Sequence, residues 1–497
     1  MIASVKSAAL LGTEAIGITV EADVKHGIPS FSIVGLPDNA VKESRDRVRS
    51  AIANSGLDFP PLRIVVNLAP ADVKKEGGVY DLPIAIAILA AMGVVPRETA
   101  SSYLFIGELG LTGSIRSTKG AISAAFLSKS LGLKGLICPR ANINEALLSG
   151  ARVWPCKDIK ETVRILKENP EGILRTEILL PEKTDHEPDM SEIAGQTLPK
   201  RAIIISALGG HNLLMIGPPG AGKSMLAKRL PSILPPLTRQ EILECTRIYS
   251  VAGRLPKNSI ILERPLRSPH ASISEPGLIG GGGNPSPGEI TLAHNGVLFL
   301  DEMPEFKRAA LEAMRQPMED GEVTVSRASM SVTFPSRFQL IAAMNPCPCG
   351  FKGHPAKECR CTPVQISKYL SKLSGPLLDR IDLHVWVDPV EIENVMNCSP
   401  GIPSAQIKDT IMRARQMQIE RGHINARIPD KDIDKICSLS PSCRSLLISA
   451  MKQFNLSMRA YKRVIKVSRT IADLDGMENI SEKHLAEALQ FRPEIEI

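Results

Sequence analysis

The sequence predicts an α/β nucleotide-binding core, set between an α+β domain on its N-terminal side and a helical domain on its C-terminal side. Three observations carry this. Gly217-Pro218-Pro219-Gly220-Ala221-Gly222-Lys223-Ser224 matches the phosphate-loop pattern G-x-x-x-x-G-K-[ST]. A second apolar run, Val297-Leu298-Phe299-Leu300, ends in two adjacent carboxylates, Asp301 and Glu302. Outside this pair of motifs, residues 1–165 alternate strand-like and helix-like runs, whereas residues 400–497 have a predominantly helical pattern.

Local context supports the loop. Leu213-Leu214-Met215-Ile216 reads as a short buried strand, and Lys223 to Leu230 as the start of a helix. Glycines let backbone N–H groups approach a phosphate, and the helix dipole favours negative charge there. Lys223 is expected to reach the β- and γ-phosphates of ATP, with the Ser224 hydroxyl ligating Mg²⁺. Asp301, at a strand end, is expected to hold the Mg²⁺ shell, and Glu302 to polarise the attacking water. Leu340-Ile341-Ala342-Ala343-Met344-Asn345 is a further apolar strand ending in an amide. In an ATPase with such a loop, Asn345 would sit between the strands of the two motifs and orient the water; a plain Asn-Pro turn is the alternative.

Composition sets wide bounds. With 497 residues the chain holds several domains, expected at 1–165, 192–395 and 396–497 with a linker at 166–191. The linker rests on the polar stretch Pro181 to Asp189, and the last boundary on Ser399-Pro400-Gly401-Ile402-Pro403. A net charge of +7 permits a nucleic-acid partner without requiring one. Aromatics at 4% disfavour base stacking as the main mode of binding. The longest apolar run, Leu82 to Val95, is too short to span a bilayer and contains Pro83. No signal-like segment is seen, so no membrane partner is expected, and the reading is cytoplasmic with reduced cysteines.

Three segments near the two motifs ask for more than a bare nucleotide-binding core. Ser268 to Gly288 is dense in Gly, Pro and Ser where a short connection would suffice; a functional insert and a surface loop are the two readings. Glu322 to Thr333 alternates as a β-hairpin would, with Arg327 near its tip. Cys347-Pro348-Cys349 and Cys359-Arg360-Cys361 follow Asn345 closely. Four such thiols fit a structural Zn²⁺, with His354 as a substitute ligand, while unrelated thiols or a redox role remain alternatives.

These residues resemble the AAA+ ATPases, specifically the ComM/YifB family of magnesium-chelatase-like proteins, over essentially the whole chain. Pro285 to Gly296 leading into Asp301-Glu302 is the most specific stretch. The resemblance implies a homo-hexameric ATPase acting on single-stranded or branched DNA, as branch-migration helicases do in recombination and natural transformation. It implies that Arg380, in Leu377-Leu378-Asp379-Arg380-Ile381-Asp382, is an arginine finger for a neighbouring subunit. On the residues alone Arg380 would be a surface ion pair. Arg459, in Ser457-Met458-Arg459-Ala460, looks like a sensor of the γ-phosphate; a solvated basic helix face is the alternative. Related motors carry a DNA-contacting hairpin where Arg327 stands, and the 268–288 insert looks like one that projects into the ring pore. Residues 67–83 and 107–113 resemble the Lon protease (ribosomal S5 domain 2-like) fold, with Asp81 and Ile122 where that enzyme has its Ser–Lys pair. Peptide hydrolysis by that route is therefore not expected. Lys42, Arg45, Arg47 and Arg49 read as a solvated basic face. The second function class is a chelatase-type motor remodelling a protein partner.

Overall fold

The computed structural model describes residues 1–174, 188–256, 260–282, 285–327, 330–389, 401–454 and 456–492, apart from the side chains of residues 327 and 330. Half of the expected linker, residues 175–187, and part of the 396–403 boundary lie outside the described residues.

The N-terminal unit is built on a seven-stranded mixed sheet. Its strand order is Ser30–Val34, Arg63–Ala69, Glu14–Lys25, Ile2–Leu11, Tyr103–Phe105, Gly135–Pro139, Val153–Cys156. The helix Asp81–Ala91 is buried along its whole length against this sheet, which explains why its sequence is apolar all round. This unit runs further than residue 165. Its last helix, Ile159–Glu168, is capped by Asp158, and Ile173 exchanges backbone hydrogen bonds with Val153 at 2.9 Å. The expected solvated basic face on the helix Asn39–Asn54 is also corrected at one position. Arg47 turns inward and holds Asp81, which is fully buried, at 2.8 and 3.1 Å.

The unit carrying the phosphate loop is built on a five-stranded sheet, parallel throughout, in the order Leu266–Arg267, Val297–Leu300, Gln339–Met344, Leu213–Ile216, Leu383–Trp386. Alternate side chains face opposite layers. Leu213, Met215, Phe299, Ile341 and Val385 pack with the helices Thr197–Gly209 and Lys223–Ile233. The same cluster takes in Ile411 of the C-terminal helix Ser404–Glu420 and Ile471 of Met458–Leu474, so lid and core share one hydrophobic layer. Leu214, Leu298, Leu300, Leu340 and Ala342 face the other way, onto Ile290, Met303, Leu311 and Leu377. This hydrophobic layer begins before residue 192: Met190 is buried in it, and the Asp189 carboxylate accepts from Ser404 N on the C-terminal helix.

The basic side of Met458–Leu474 is only partly solvated. Arg463 pairs with Asp382, and Arg469 is buried against Asp473 at 3.1 Å. The segment expected to be a long insert is ordered where described: Leu278 is buried on the short helix Glu275–Ile279, and Gly280–Gly281 pairs with Ser286–Pro287. Residues 283 and 284 lie outside the described set. The helix Arg239–Ala252 of the phosphate-loop unit packs on the N-terminal unit. Its Ser250 hydroxyl accepts from Gly120 N at 2.9 Å and donates to the buried Glu145, and Arg247 reaches Ser123 and Glu14.

His384, on the edge strand, is buried, and its Nε2 has no hydrogen-bond partner. Burial pushes its pKa down to about 3, with the Arg492 charge acting in the same direction. A base whose folded pKa lies below its unfolded value of about 6.5 weakens the fold as pH falls through that window. Taking the protein from pH 7 to pH 5 should therefore cost about 2 kcal/mol from this group. Urea midpoints at the two pH values check this, and His384→Phe should flatten the difference.

Candidate active site

The strand Leu213–Ile216 leads into the loop, and the helix Lys223–Ile233 leaves it with Gly222 at its N-cap. Gly217 is dictated by packing, since a Cβ there would lie 2.1 Å from the Val387 carbonyl. Gly220 and Gly222 have φ of +81° and +91°, and no atom lies within 4 Å of where their Cβ would stand. The loop thus combines left-handed backbone with open space in front of a helix N-terminus, the setting that accommodates a polyphosphate.

Lys223 is buried, and its ammonium donates to the carbonyls of Gly217 at 2.6 Å and Pro218 at 2.8 Å. It also donates to Asn345 Oδ1 at 3.1 Å. Burial lowers its pKa, while the Asp301 and Glu302 carboxylates oppose that shift. Ser224 donates to Asp301 Oδ2 at 2.6 Å. The hydroxyl and carboxylate expected to share Mg²⁺ are therefore already adjacent, one opening a helix and the other ending a strand, and both are hard oxygen donors of the kind that ion takes. Asn345 ends the strand lying between those that lead to Lys223 and Asp301, the place expected for it in such an ATPase. Glu302 follows with φ +52° and ψ +48°, left-handed backbone that is strained for a non-glycine residue. Its N–H is tied to Asp301 Oδ1 at 3.1 Å.

The motif Pro285–Gly296 explains how the Asp301 strand is held. His294 Nδ1 accepts from Arg337 N, so Nε2 carries the proton and donates to Glu244 at 3.1 Å. Asn295 donates to the same carboxylate at 2.9 Å, and the His294 bond first among these holds Glu244 down at about 2. Glu289 is clamped by Arg254 and Arg267, each at 2.7 Å.

Arg380 and Arg459 occupy one place. Both donate to Glu319 Oε1, at 2.8 and 2.7 Å respectively. Arg380 is only 8% exposed, bonds the Pro376 carbonyl, and leaves its Nε buried without a partner. The surface ion pair with flanking aspartates is not what forms: Asp382 serves Arg463 and Asn212 N instead. Ser457 caps the helix that Arg459 opens, accepting from Ala460 N. Sequence reasoning missed Glu319, whose partners are far along the chain. It also missed Gln196, which bonds the carbonyls of Ala221 and Asp388 and so ties the motor's entry segment to the phosphate loop.

The hairpin forms as Glu322–Arg327 paired with Met330–Pro335, placing Arg327 opposite Met330 at the last register position. The Arg327 side chain and residues 328 and 329 lie outside the described set. Cys347, Cys349, Cys359 and Cys361 bring their sulfurs within 4.8 Å of one another, and His354 is not among them.

Comparison with known families agrees with this architecture. Residues 189–395 match the family described as magnesium chelatase, subunit ChlI, residues 20–142 the subunit ChlI of Mg-chelatase, and residues 401–492 the ChlI C-terminal region. The chain is 44% identical to the competence protein ComM of Haemophilus influenzae, over 99% of its length and 97% of that protein. The chain belongs to the ComM/YifB family of magnesium-chelatase-like AAA+ proteins. YifB of Salmonella typhimurium is 44% identical over 99% of this chain and 97% of its own length. The 38 kDa magnesium-chelatase subunit of Cereibacter sphaeroides is more distant, at 23% over 59% of this chain and 87% of its own. Membership in this family implies ATPase activity with ATP and Mg²⁺. Among the described residues, no helix is long and apolar enough to cross a membrane.

Proposed function

We propose that the chain is an ATP-driven DNA motor that works as a homo-hexamer in recombination, of the branch-migration kind. The observation that carries the reading is the convergence of Arg380 and Arg459 on Glu319, alongside a complete phosphate loop, Asp301 and Asn345 on neighbouring strands. Arg380 supplies the cation that stabilises a transferring phosphoryl group across a subunit interface, and Arg459, held beside it, senses the γ-phosphate. Lys223, once moved off its loop carbonyls, binds the β- and γ-phosphates, and Ser224 and Asp301 hold Mg²⁺. That ion, when bound, offsets phosphate charge. Glu302 accepts a proton from the attacking water, and Asn345 orients it.

The assignment to DNA is supported by the competence name of the Haemophilus influenzae relative, by the net charge of +7, and by the hairpin ending at Arg327. A cation at a hairpin tip grips phosphates without reading sequence. Arg327→Glu should therefore abolish binding to a fluorescent single strand at low salt while basal ATP turnover stays intact. Unchanged DNA affinity would count against the hairpin as the contact.

The N-terminal unit we read as Lon-like in fold without proteolysis. Asp81 stands where the nucleophile would be, and it is consumed by Arg47, Ser44 and Leu109 N in a buried network. A chelatase-type motor acting on a protein partner is the second reading, favoured by the match to the 38 kDa chelatase subunits.

A further inference from the structure

The segment from Cys347 to the helix Pro363–Leu370 has no helix or strand, and from residue 351 to 362 no residue is buried. A stretch of this length with no apolar core needs another source of order. Its four thiols supply one. Cys347 Sγ lies 3.4 Å from Cys349 Sγ and 3.6 Å from Cys359 Sγ, and Cys349 to Cys359 is also 3.6 Å. These distances are far beyond the disulfide bond length of about 2.05 Å, and all four cysteines are free. They fall near the separation of about 3.8 Å that a tetrahedron with zinc–sulfur bonds of about 2.3 Å requires. Backbone donors face the sulfurs as they do around bound thiolates: Lys352 N points to Cys347 Sγ and Cys349 N to Cys361 Sγ, each at 3.3 Å.

The knuckle also touches the nucleotide site. Gly350, at φ +84°, packs so tightly on the phosphate loop that a Cβ there would lie 2.6 Å from Pro219 Cδ and 3.8 Å from the Asn345 side chain. Asn345, two residues before Cys347, holds Lys223. The turn that presents Gly350 is closed by its N–H bonding the Cys347 carbonyl at 3.0 Å.

We propose that Cys347, Cys349, Cys359 and Cys361 bind one zinc ion, and that the zinc-closed knuckle braces Pro219 and Asn345 in the conformation that binds nucleotide. The metal site stands on the sulfur geometry alone. The brace rests on reading Gly217–Ser224 as the ATP site.

Elemental analysis of the full chain, purified and dialysed against metal-free buffer, should find about one zinc per chain. Cys359→Ser/Cys361→Ser should hold none. No metal in the native chain, or iron in its place, would overturn the site. For the brace, a fluorescent ATP analogue is titrated into the native chain before and after zinc is stripped with a mercurial and a chromophoric chelator. Stripping should weaken binding about tenfold, and reloading with thiol and Zn²⁺ should restore it. Because the native sequence is used, a variant that fails to fold does not decide the matter. Equal affinity with and without zinc would overturn the brace. A zinc-loaded chain that binds no nucleotide at all would instead overturn the reading of the phosphate loop and leave the metal site standing.

Discussion

Replacing Glu302 with Gln is expected to slow ATP turnover by about 10²- to 10⁴-fold while nucleotide binding survives. Glu302 sits in left-handed conformation at the end of a buried strand, immediately after the carboxylate that Ser224 bonds. A conformation of this kind persists only where its surroundings enforce it, and the Asp301 carboxylate does so by accepting the Glu302 N–H at 3.1 Å. Gln keeps the size and shape but cannot accept the proton of an attacking water. Binding depends on Lys223, Ser224 and the loop N–H groups, which the change leaves alone. Turnover by phosphate release, measured beside fluorescent-nucleotide affinity, separates the two. A variant that loses both in parallel would show Glu302 to be a structural residue of the site.

The second large effect is expected at Arg380. Its loss to Ala should reduce turnover by about 10³- to 10⁵-fold, the range for a cation that meets transferring phosphoryl charge. Here the structure adds a condition. Arg380 and Arg459 share the Glu319 carboxylate, so engaging a phosphate means exchanging one anion for another. Arg380→Ala alone does not say which subunit's nucleotide the residue serves. Mixing it with Glu302→Gln does. If Arg380 acts across an interface, mixed assemblies contain some sites with both wild-type groups, and activity reappears although each variant is inactive alone. No recovery, in assemblies shown to exchange subunits, would place Arg380 in its own subunit's site.

What was legible in the sequence was local chemistry. The phosphate loop, the apolar strands and their terminal acids are short, contiguous signals, and the parallel sheet places Asn345 between the two motif strands, as expected of an ATPase with such a loop. The hairpin pairing Glu322 to Pro335 also followed from simple alternation. What could not be read were the partners of charged groups. Arg459 meets Glu319 across 140 residues, and Arg463 meets Asp382 across 81. Arg47 is one of four bases on its helix, yet it alone turns inward, because Asp81 lies buried beneath it. A charge on a helix looks solvated until the tertiary fold delivers its counterion, and no periodicity records that. The cysteines lie between these extremes. Four thiols so close along the chain suggest a metal although C-x-C is tighter than the usual ligand spacing, and the fold brings the two pairs together around one point.

The central claim is that ATP hydrolysis is coupled to DNA. ATP turnover should be measured without DNA and with single-stranded, duplex and four-way-junction DNA, using Glu302→Gln as the blank. The account predicts stimulation by DNA, strongest with the branched substrate. Active basal hydrolysis that no DNA changes would contradict it and turn the search to a protein client.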